Sequence, residues 1–478
     1  MRSAMLLAFL AVYGCASAPS YRAFSAQAPA SGPHPLSPSP ASPHPLSPSP
    51  FGRGGTADGA ADSADFWQRL GDTTLSRLIG EVRRGNLDVQ AARARVSAAR
   101  SDRLRSLLDL TPSATVSGGY VRQRLASASF PSGFGVFPDQ SVWSAGADAS
   151  WDLDVFGQIR HTVQARGALV GAAEETSRDV EVSFTAELAR AYFELRGAQE
   201  QLAVARQNAE NQRHTFELTR QRLDAGRGSA FDTERAQAQL NSTLAFIPAR
   251  EAQVAAAQYR IGVLVGRTPH DVARELEQPG RLPPLPDLIA IGQPDAVVRY
   301  RPDVAAAERQ VAAQGALVGA AKASYLPRLS IGGSVGYAAP TFNGVGDQGT
   351  LRYVVGPVLT WPALNLGRVK TEVDAAQARE DAARAEYGRV VLAALADVET
   401  SITRYRTARE RLQRLEEASA ASERAAELAR LRFTEGVTDF LQVLDAERTQ
   451  LEAQDQLAQG RTDAATAYAA LYRAVGGR

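Results

Sequence analysis

The stretch Gly332-Gly-Ser-Val-Gly336 has the Gly-x-Ser-x-Gly spacing that positions a nucleophilic serine in hydrolases. In those enzymes the serine lies on a sharp turn between a strand and a helix. Here small and apolar residues continue to alternate from Ser334 to Tyr337, which favours a continuing β-strand over a turn. We therefore interpret this motif as a strand of small residues and not as an active site.

Other enzymatic patterns are weaker still. The chain has two lysines, Lys322 and Lys370, and neither lies in a Gly-x4-Gly-Lys phosphate loop. His161, His214 and His270 are scattered without metal-ligand spacing. The net charge of +1 gives no electrostatic reason to expect a nucleic-acid partner. We expect no enzyme activity, no cofactor and no metal.

Charged residues with helical spacing form a different kind of candidate site. Asp445 and Arg448 are three residues apart, and Leu441 lies one turn before Asp445 on the same face. Asp232 is likewise followed by Arg235. On a solvated helix such pairs contribute only a few tenths of a kcal/mol. Repeated around a symmetry axis, the carboxylates would attract cations and the leucines would block a bore.

The elements that carry these residues are duplicated along the chain. In each copy a helix-like segment ends at Pro, a Trp is followed six residues later by Gly, and a second Gly lies 69 residues further on. The segments run from Asp88 to Pro112 and from Asp303 to Pro327, and the later markers are Trp151, Gly157 and Gly226 in the first copy and Trp361, Gly367 and Gly436 in the second. This spacing predicts a tandem repeat of helix, two strands, very long helix, turn and helix.

Four segments have the alternation typical of strands. In residues 143–151 the odd positions are apolar and the even positions are small or polar, residues 329–337 and 353–361 show a similar pattern, and residues 114–124 alternate weakly. No internal apolar run reaches the roughly 20 residues that a membrane helix needs. Any membrane crossing by the mature chain is therefore expected to be β.

Four strands are too few to close a barrel, because small single-chain barrels use about eight. Open strand edges in lipid would leave backbone N–H and C=O groups unsatisfied, at several kcal/mol each. Three copies of the chain would contribute twelve strands, and such a homotrimer is the simplest arrangement that closes the barrel. The alternative is a water-soluble sandwich built from two hairpins.

Very long helices are expected after each strand pair. From Gly157 to Leu223 there is no Pro, and a continuous helix would extend about 100 Å. Apolar residues recur every seven positions, as at Leu188, Leu195 and Leu202, which indicates packed, supercoiled helices. Alanines between them favour close packing into a tube, and a cytosolic coiled-coil rod is the alternative.

Each long helix is predicted to end at its glycine, Gly226 or Gly436, in the left-handed conformation. Ser229 to Asp232 and Asp439 to Gln442 then resemble capping boxes that start the return helices. Pro248 is expected to kink the first return helix.

The N-terminal residues have the features of a targeting segment. Arg2 and an apolar stretch precede Tyr13-Gly14-Cys15-Ala16, and Cys15 is the only cysteine. This resembles the lipobox of bacterial lipoproteins, although Tyr13 stands where a smaller residue is usual. The alternative is an ordinary signal peptide with an incidental cysteine. The proline-rich residues that follow Cys15 predict a flexible tether. The alternative is a ligand for a proline-binding module.

Together these residues resemble the TolC-type outer-membrane efflux channels, in the lipoprotein branch that works with resistance-nodulation-division pumps. The matching motifs are Cys15, Trp67 through Asp72 with Leu75 and Leu78, Gly85-Asn86, Trp151 to Gly157, Arg301-Pro-Asp-Val304 with Glu308, Ala321 to Pro327, Arg432 to Gly436, and Leu441 to Arg448. The similarity extends from about residue 64 to the C-terminus. The proline-rich insertion is atypical, and Pro362-Ala-Leu-Asn365 replaces a commoner Pro-Ile-Phe-Asp.

The resemblance implies a mixed, mainly α fold in which three protomers complete a twelve-stranded barrel continuous with a long α-helical periplasmic barrel. It places Leu441, Asp445 and Arg448 at a periplasmic constriction, with Asp232 contributing from the first tip. It implies that the tips at Gly226 and Gly436 face a periplasmic adaptor protein, and that Cys15 carries acyl chains that anchor the chain in the outer membrane.

The expected organisation is a signal peptide at 1–14, a lipidated N-terminus and tether at 15–64, a first repeat at 65–266, an equatorial connecting segment at 267–300 and a second repeat at 301–478. The predicted function is a passive exit channel for drugs and small solutes, driven by an inner-membrane pump through the adaptor. The alternatives are a type I protein-secretion outlet and a non-conducting structural lipoprotein. The sequence does not identify the cargo.

Overall fold

The computed structural model describes residues 63–124, 138–287, 298 and 300–477. The predicted signal peptide, Cys15 and almost all of the predicted tether lie outside these residues.

The tandem repeat is confirmed by the order of the elements. Each copy contains a helix of 22 residues, two strands, a helix of 67 or 69 residues and a return helix of 36 or 35 residues. The helices are α1 (Ser63–Gln68), α2 (Thr73–Gly85), α3 (Leu87–Leu108), α4 (Gln158–Asp224), α5 (Ala230–Val265), α6 (Pro269–Glu275), α7 (Pro302–Ala323), α8 (Leu366–Thr434) and α9 (Phe440–Ala474). The strands are β1 (Ser113–Gln123), β2 (Gln140–Leu153), β3 (Arg328–Ala339) and β4 (Leu351–Thr360).

The four strands form one antiparallel sheet in the order β1-β2-β3-β4. Because cross-strand partners share a face, the register Ala147–Val335–Tyr353 places apolar side chains of three strands together. The opposite face carries mainly small and polar residues, such as the pair Asp148–Ser334. The predicted alternation is therefore confirmed for β2 and β3. In β4 both faces carry exposed apolar residues, since Val354 and Val358 point away from Tyr353.

Equivalent tryptophans anchor the strand ends in both copies. The indole Nε1 of Trp151 donates to the carbonyl of Leu110 at 2.9 Å, and that of Trp361 donates to the carbonyl of Tyr325 at 3.0 Å. In each case the acceptor lies just before the first strand of the same copy. In each copy the tryptophan therefore ties the end of the second strand, β2 or β4, to the residues just before the first strand, β1 or β3.

The chain folds into two compact units, and each unit takes segments from both repeats. One unit contains the sheet with the adjoining parts of α3, α4, α7 and α8. The other contains α1, α2, α5, α6, α9 and the remaining parts of α3, α4, α7 and α8.

An aromatic core fills this second unit. Phe66 stacks on Tyr468 with ring centroids 4.5 Å apart, and Trp67 lies 4.7 Å from Tyr472. All four side chains are buried. These contacts join the N-terminal helix α1 to the C-terminal helix α9, so the first described residues are held in the main hydrophobic core.

The segment after α5 begins with the short helix α6 and continues without regular structure to residue 287. Side chains of the long helices bind its backbone carbonyls. Gln199 donates to the carbonyl of Leu276 at 3.0 Å, and Tyr405 donates to that of Pro286 at 2.5 Å. Proline-rich backbone has few N–H groups to offer, so its attachment through carbonyl oxygens is expected.

No helix among the described residues is both long enough and apolar enough to span a lipid bilayer.

Candidate functional site

The two hairpin tips have the same backbone geometry. Gly226 has φ of 66° and Gly436 has φ of 76°, the left-handed conformation that glycine adopts without a side-chain clash. After each glycine the next N–H returns to the last turn of the long helix, from Arg227 to the carbonyl of Arg222 at 2.8 Å and from Val437 to that of Arg432 at 2.9 Å. The predicted left-handed caps at Gly226 and Gly436 are confirmed, and the six-to-one bond identifies each of them as a Schellman motif.

Side-chain caps start the return helices at the predicted residues. The hydroxyl of Ser229 accepts from the N–H of Phe231 at 3.1 Å, and Asp439 accepts from the N–H of Gln442 at 3.2 Å. The Gln442 amide oxygen accepts from the hydroxyl of Thr438 at 2.5 Å. Pro248 lies inside α5, which continues unbroken, and the predicted kink stays a prediction.

Leu441, Asp445 and Arg448, which we call the gate residues, occupy one exposed face of α9. All three side chains are exposed, Leu441 by 51% although it is apolar. Arg448 pairs with Glu452, one turn further on, at 3.0 Å. The side chain of Asp445 makes no hydrogen bond or ion pair with the residues that the structure describes. The gate residues are therefore accessible within a single chain.

Asp232 lies in the first turn of α5 and is half-buried. Arg235 does not pair with it, because its guanidinium lies over the ring of Phe231, 5.3 Å from the centroid. Within the described part of one chain, Asp232 makes no direct hydrogen bond or ion pair with the gate residues.

The opposite face of α9 is buried and contains a carboxylate that sequence reasoning missed. Glu447 is 4% exposed. Its Oε1 accepts from the hydroxyl of Thr215 on α4 at 2.8 Å and from Nε of Arg430 on α8 at 3.0 Å. Burial raises the pKa of Glu447, and the bonds from Thr215 and Arg430 oppose that shift.

A small apolar cluster lies near the tips. Phe433 at the end of α8 and Phe440 at the start of α9 have ring centroids 5.7 Å apart. Val443 and Ala236 complete the buried cluster, so residues of α5, α8 and α9 pack together close to the turns. The helices that supply this cluster became visible only in the structure.

Among the described residues, no group of His, Cys, Asp and Glu has an arrangement suited to hold a metal ion. Ser334 lies inside β3, where it pairs with Asp148 of β2 and Val354 of β4. The interpretation of the Gly-x-Ser-x-Gly stretch as a strand is confirmed.

Comparison with known families gives a match over most of the chain. Residues 78–267 and 294–477 match the model of the outer membrane efflux protein family. The two matched ranges fall on the two copies of the tandem repeat.

Individual relatives agree with this match. The chain is 30% identical to the outer membrane protein OprJ of Pseudomonas aeruginosa over 426 residues, covering 87% of each chain. It is 27% identical to the toluene efflux pump outer membrane protein TtgF of Pseudomonas putida, covering 85% of this chain and 84% of that one. The solved structure of the outer-membrane channel OprN superposes with a TM-score of 0.81 at 36% identity, covering 90% of this chain and 94% of that one.

Proposed function

Because this chain belongs to the outer membrane efflux protein family, we propose that three copies of it form one passive conduit whose periplasmic end is closed by the gate residues. The protein is an outer-membrane exit channel of an efflux pump and is not an enzyme. Its fold is that of the TolC-type channels, mainly helical with one four-stranded sheet and an internal repeat.

The observation that carries the trimer is the unfinished sheet. Within the described residues, β1 and β4 each have a neighbour on one side only, so two rows of backbone N–H and C=O groups have no strand partner. The sheet also exposes an apolar face, on which Val116, Val335 and Tyr353 are at least half exposed. In lipid that face is favourable and the open edges are not. If β4 of one copy pairs with β1 of the next, the open edges are closed while the apolar face stays in contact with lipid. Three protomers joined in this way give twelve strands.

The constriction follows from three-fold symmetry. Each gate residue becomes a ring, with leucines that narrow the opening and carboxylates that attract cations. The free carboxylate of Asp445 suits this role, since no described residue of its own chain neutralises it. Asp232 is placed near the first tip and adds negative charge there.

The channel is passive, so the energy for transport comes from an inner-membrane pump of the resistance-nodulation-division type. A periplasmic adaptor protein is proposed to dock on the hairpin tips at Gly226 and Gly436 and to trigger opening. The names of the relatives support efflux over type I protein secretion, because TtgF is described as part of a toluene efflux pump. Lipidation at Cys15 is proposed to hold the chain in the outer membrane.

The proposed gate is tested with Asp445→Ala in planar lipid bilayers. Removal of the carboxylate ring is expected to raise the single-channel conductance and to weaken block by divalent or trivalent cations. Glu427→Ala is the matched control, because Glu427 is an exposed carboxylate on α8 outside the gate residues. Unchanged conductance and unchanged cation block in Asp445→Ala would remove Asp445 from the gate.

The conduit itself is tested separately. A deletion strain is expected to be more susceptible to drugs, and resistance is expected to return when the wild-type gene is restored. A purified protein that remains monomeric in detergent, or that passes no current even after gate substitution, would favour the structural lipoprotein.

A further inference from the structure

An aromatic row crosses the apolar face of the sheet at the end of the strands that is not joined to the helices. Tyr120 of β1 and Trp143 of β2 are register partners, with ring centroids 4.6 Å apart. Phe342, just after β3, packs edge-on against Trp143 at 5.2 Å. Since aromatic side chains are enriched where a membrane barrel meets the headgroups, this row marks the outer limit of the hydrocarbon.

Two arginines follow this row along the first strand. Arg122 is two residues after Tyr120 on β1, so the two side chains share the face that contacts lipid. Arg124 comes directly after β1. Both side chains are about two-thirds exposed, Arg122 by 67% and Arg124 by 66%. An arginine on this face is costly at the middle of a bilayer and is tolerated only at the level of the headgroups.

The two guanidinium groups share one carboxylate. Nε of Arg124 donates to Oδ1 of Asp139 at 2.5 Å, and Nη2 of Arg122 donates to Oδ2 of Asp139 at 3.4 Å. In the described part of the chain, Asp139 is the one acidic side chain that pairs with either arginine, so this group of three has a net positive charge. Each guanidinium has five N–H donors, and most of them are left for another acceptor.

The surroundings define the chemistry of that acceptor. A phosphate group suits it, because its oxygens accept two parallel N–H bonds from a guanidinium. The apolar face of the strands continues directly below the arginines, through Tyr120 and Trp143 to Val335 and Tyr353. A ligand that covers both regions carries phosphate at one end and hydrocarbon at the other. A free anion would use the arginines and leave the apolar face without a contact.

We propose that Arg122 and Arg124, with the aromatic row below them, bind the phosphate groups of an acylated glycolipid in the outer leaflet of the outer membrane. The guanidinium groups bind the phosphate oxygens, the rings lie at the level of the headgroup, and the apolar strands contact the acyl chains. Asp139 is a positioning residue that holds the two guanidinium groups side by side. The site lies on the lipid face, outside the conduit, and does not depend on the gate residues.

The test measures how much labelled lipid A stays bound to the purified protein in detergent. The double variant Arg122→Gln/Arg124→Gln is expected to retain about tenfold less lipid A than the wild type, because charge-assisted bonds to phosphate are lost. Lipid A without its phosphate groups is expected to bind both proteins equally weakly. Arg122→Lys/Arg124→Lys keeps both charges without the planar fork, so its retention is expected to lie between those of the wild type and the glutamine variant.

Arg352→Gln is the matched control. Arg352 is exposed on β4, and its register with Gly336 and Gly146 places it on the face opposite Trp143. This variant is expected to retain as much lipid A as the wild type. Asp139→Asn is expected to retain about twofold more, because the guanidinium groups lose a competing carboxylate. If the ion pairs serve only to close the hairpin, Asp139→Asn lowers the unfolding midpoint and leaves lipid A retention unchanged.

Equal retention of lipid A by the wild type and the double glutamine variant overturns the proposal, as does an equal loss in Arg352→Gln. Inorganic phosphate that displaces labelled lipid A as effectively as unlabelled lipid A does would indicate a site for a free anion and would also overturn it. Should the double variant fail to fold, the comparison of lipid A with its dephosphorylated form on the wild type decides. The assay needs no current, so failure of the gate or of the conduit is detected separately.

Discussion

The guanidinium of Arg222 lies 4.3 Å from the ring centroid of Phe433 and donates a hydrogen bond of 3.0 Å to the carbonyl oxygen of the same residue. Arg222 is in the last turn of α4 and Phe433 is in the last turn of α8. Arg222, at the C-terminal end of α4, therefore binds the C-terminal end of α8. The Phe433 carbonyl also accepts from the N–H of Gly436 at 3.0 Å, so the bond from Arg222 is a second bond to that oxygen. The same guanidinium donates to the carbonyl of Thr434 at 3.2 Å while it contacts the aromatic face.

Arg222→Lys is expected to loosen the tip of the second hairpin by about 1 kcal/mol, because an ammonium group cannot stack on the ring and reach the carbonyl together. The measurement is hydrogen exchange of the backbone amides around Gly436, which should exchange about fivefold faster. Arg220→Lys is the control, since Arg220 is exposed on the same helix. Equal exchange in the two variants would show that the contact with Phe433 does not stabilise the tip.

Gly436→Ala is expected to destabilise the same turn by about 1 kcal/mol, because a side chain at φ of 76° is strained. The same substitution at Gly388 is expected to stabilise the protein instead. Gly388 lies inside α8 with nothing within 4 Å of its added Cβ, so alanine there should stabilise by roughly 0.5–1 kcal/mol. Thermal unfolding of the detergent-solubilised variants compares the two. A rise in the unfolding midpoint for Gly436→Ala would contradict the left-handed geometry.

Arg301→Met is expected to cost about 2–3 kcal/mol, less than for a fully buried pair because its carboxylate partners are partly exposed. Arg301 donates to Asp397 at 3.0 Å and to the carbonyl of Ala474 at 2.8 Å, and it also pairs with Asp303. Loss of the guanidinium leaves the buried carbonyl of Ala474 without this donor and the carboxylates of Asp303 and Asp397 without their cation. A lower unfolding midpoint is the expected readout.

Arg368→Met is the matched control for Arg301→Met, because Arg368 is 84% exposed and lies 3.8 Å from Glu372. Exposed ion pairs of this kind contribute little, so its midpoint should remain close to that of the wild type. Equal midpoints for both variants would show that Arg301 does not tie the start of α7 to the end of α9.

The stability of the wild type relative to Glu447→Gln is expected to fall as pH rises from the ordinary Glu pKa of 4.5 toward neutral. Burial raises the pKa of Glu447 in the folded state, so the folded protein binds the proton more tightly than the unfolded chain. The favourable contribution is complete below the unfolded pKa and is lost as pH rises through the folded pKa. Unfolding free energies of both proteins, measured across this range, give the slope. A slope of opposite sign would mean that the bonds from Thr215 and Arg430 outweigh burial.

The local structure of this protein could be read from its sequence, because each element depends on neighbouring residues. Period-two alternation predicted the strands, and the tandem spacing predicted the two copies of each element. The positions of Gly226 and Gly436 predicted the ends of the long helices, since only glycine adopts a left-handed cap without strain. Helix geometry alone placed Leu441, Asp445 and Arg448 on one face.

The contacts across long sequence separations could not be read in this way. Nothing in the local pattern of α9 distinguishes the buried Glu447 from the exposed Glu452, because burial depends on which helix lies against each face. The same holds for Phe66, whose partner Tyr468 is about four hundred residues away. Sequence periodicity defines the faces of a helix, whereas only the packing of the chain decides which partner covers each face. The sequence by itself determined the repeated elements, whereas the tertiary structure decided that Glu447 is buried on the side of α9 opposite the exposed residues Leu441, Asp445 and Arg448.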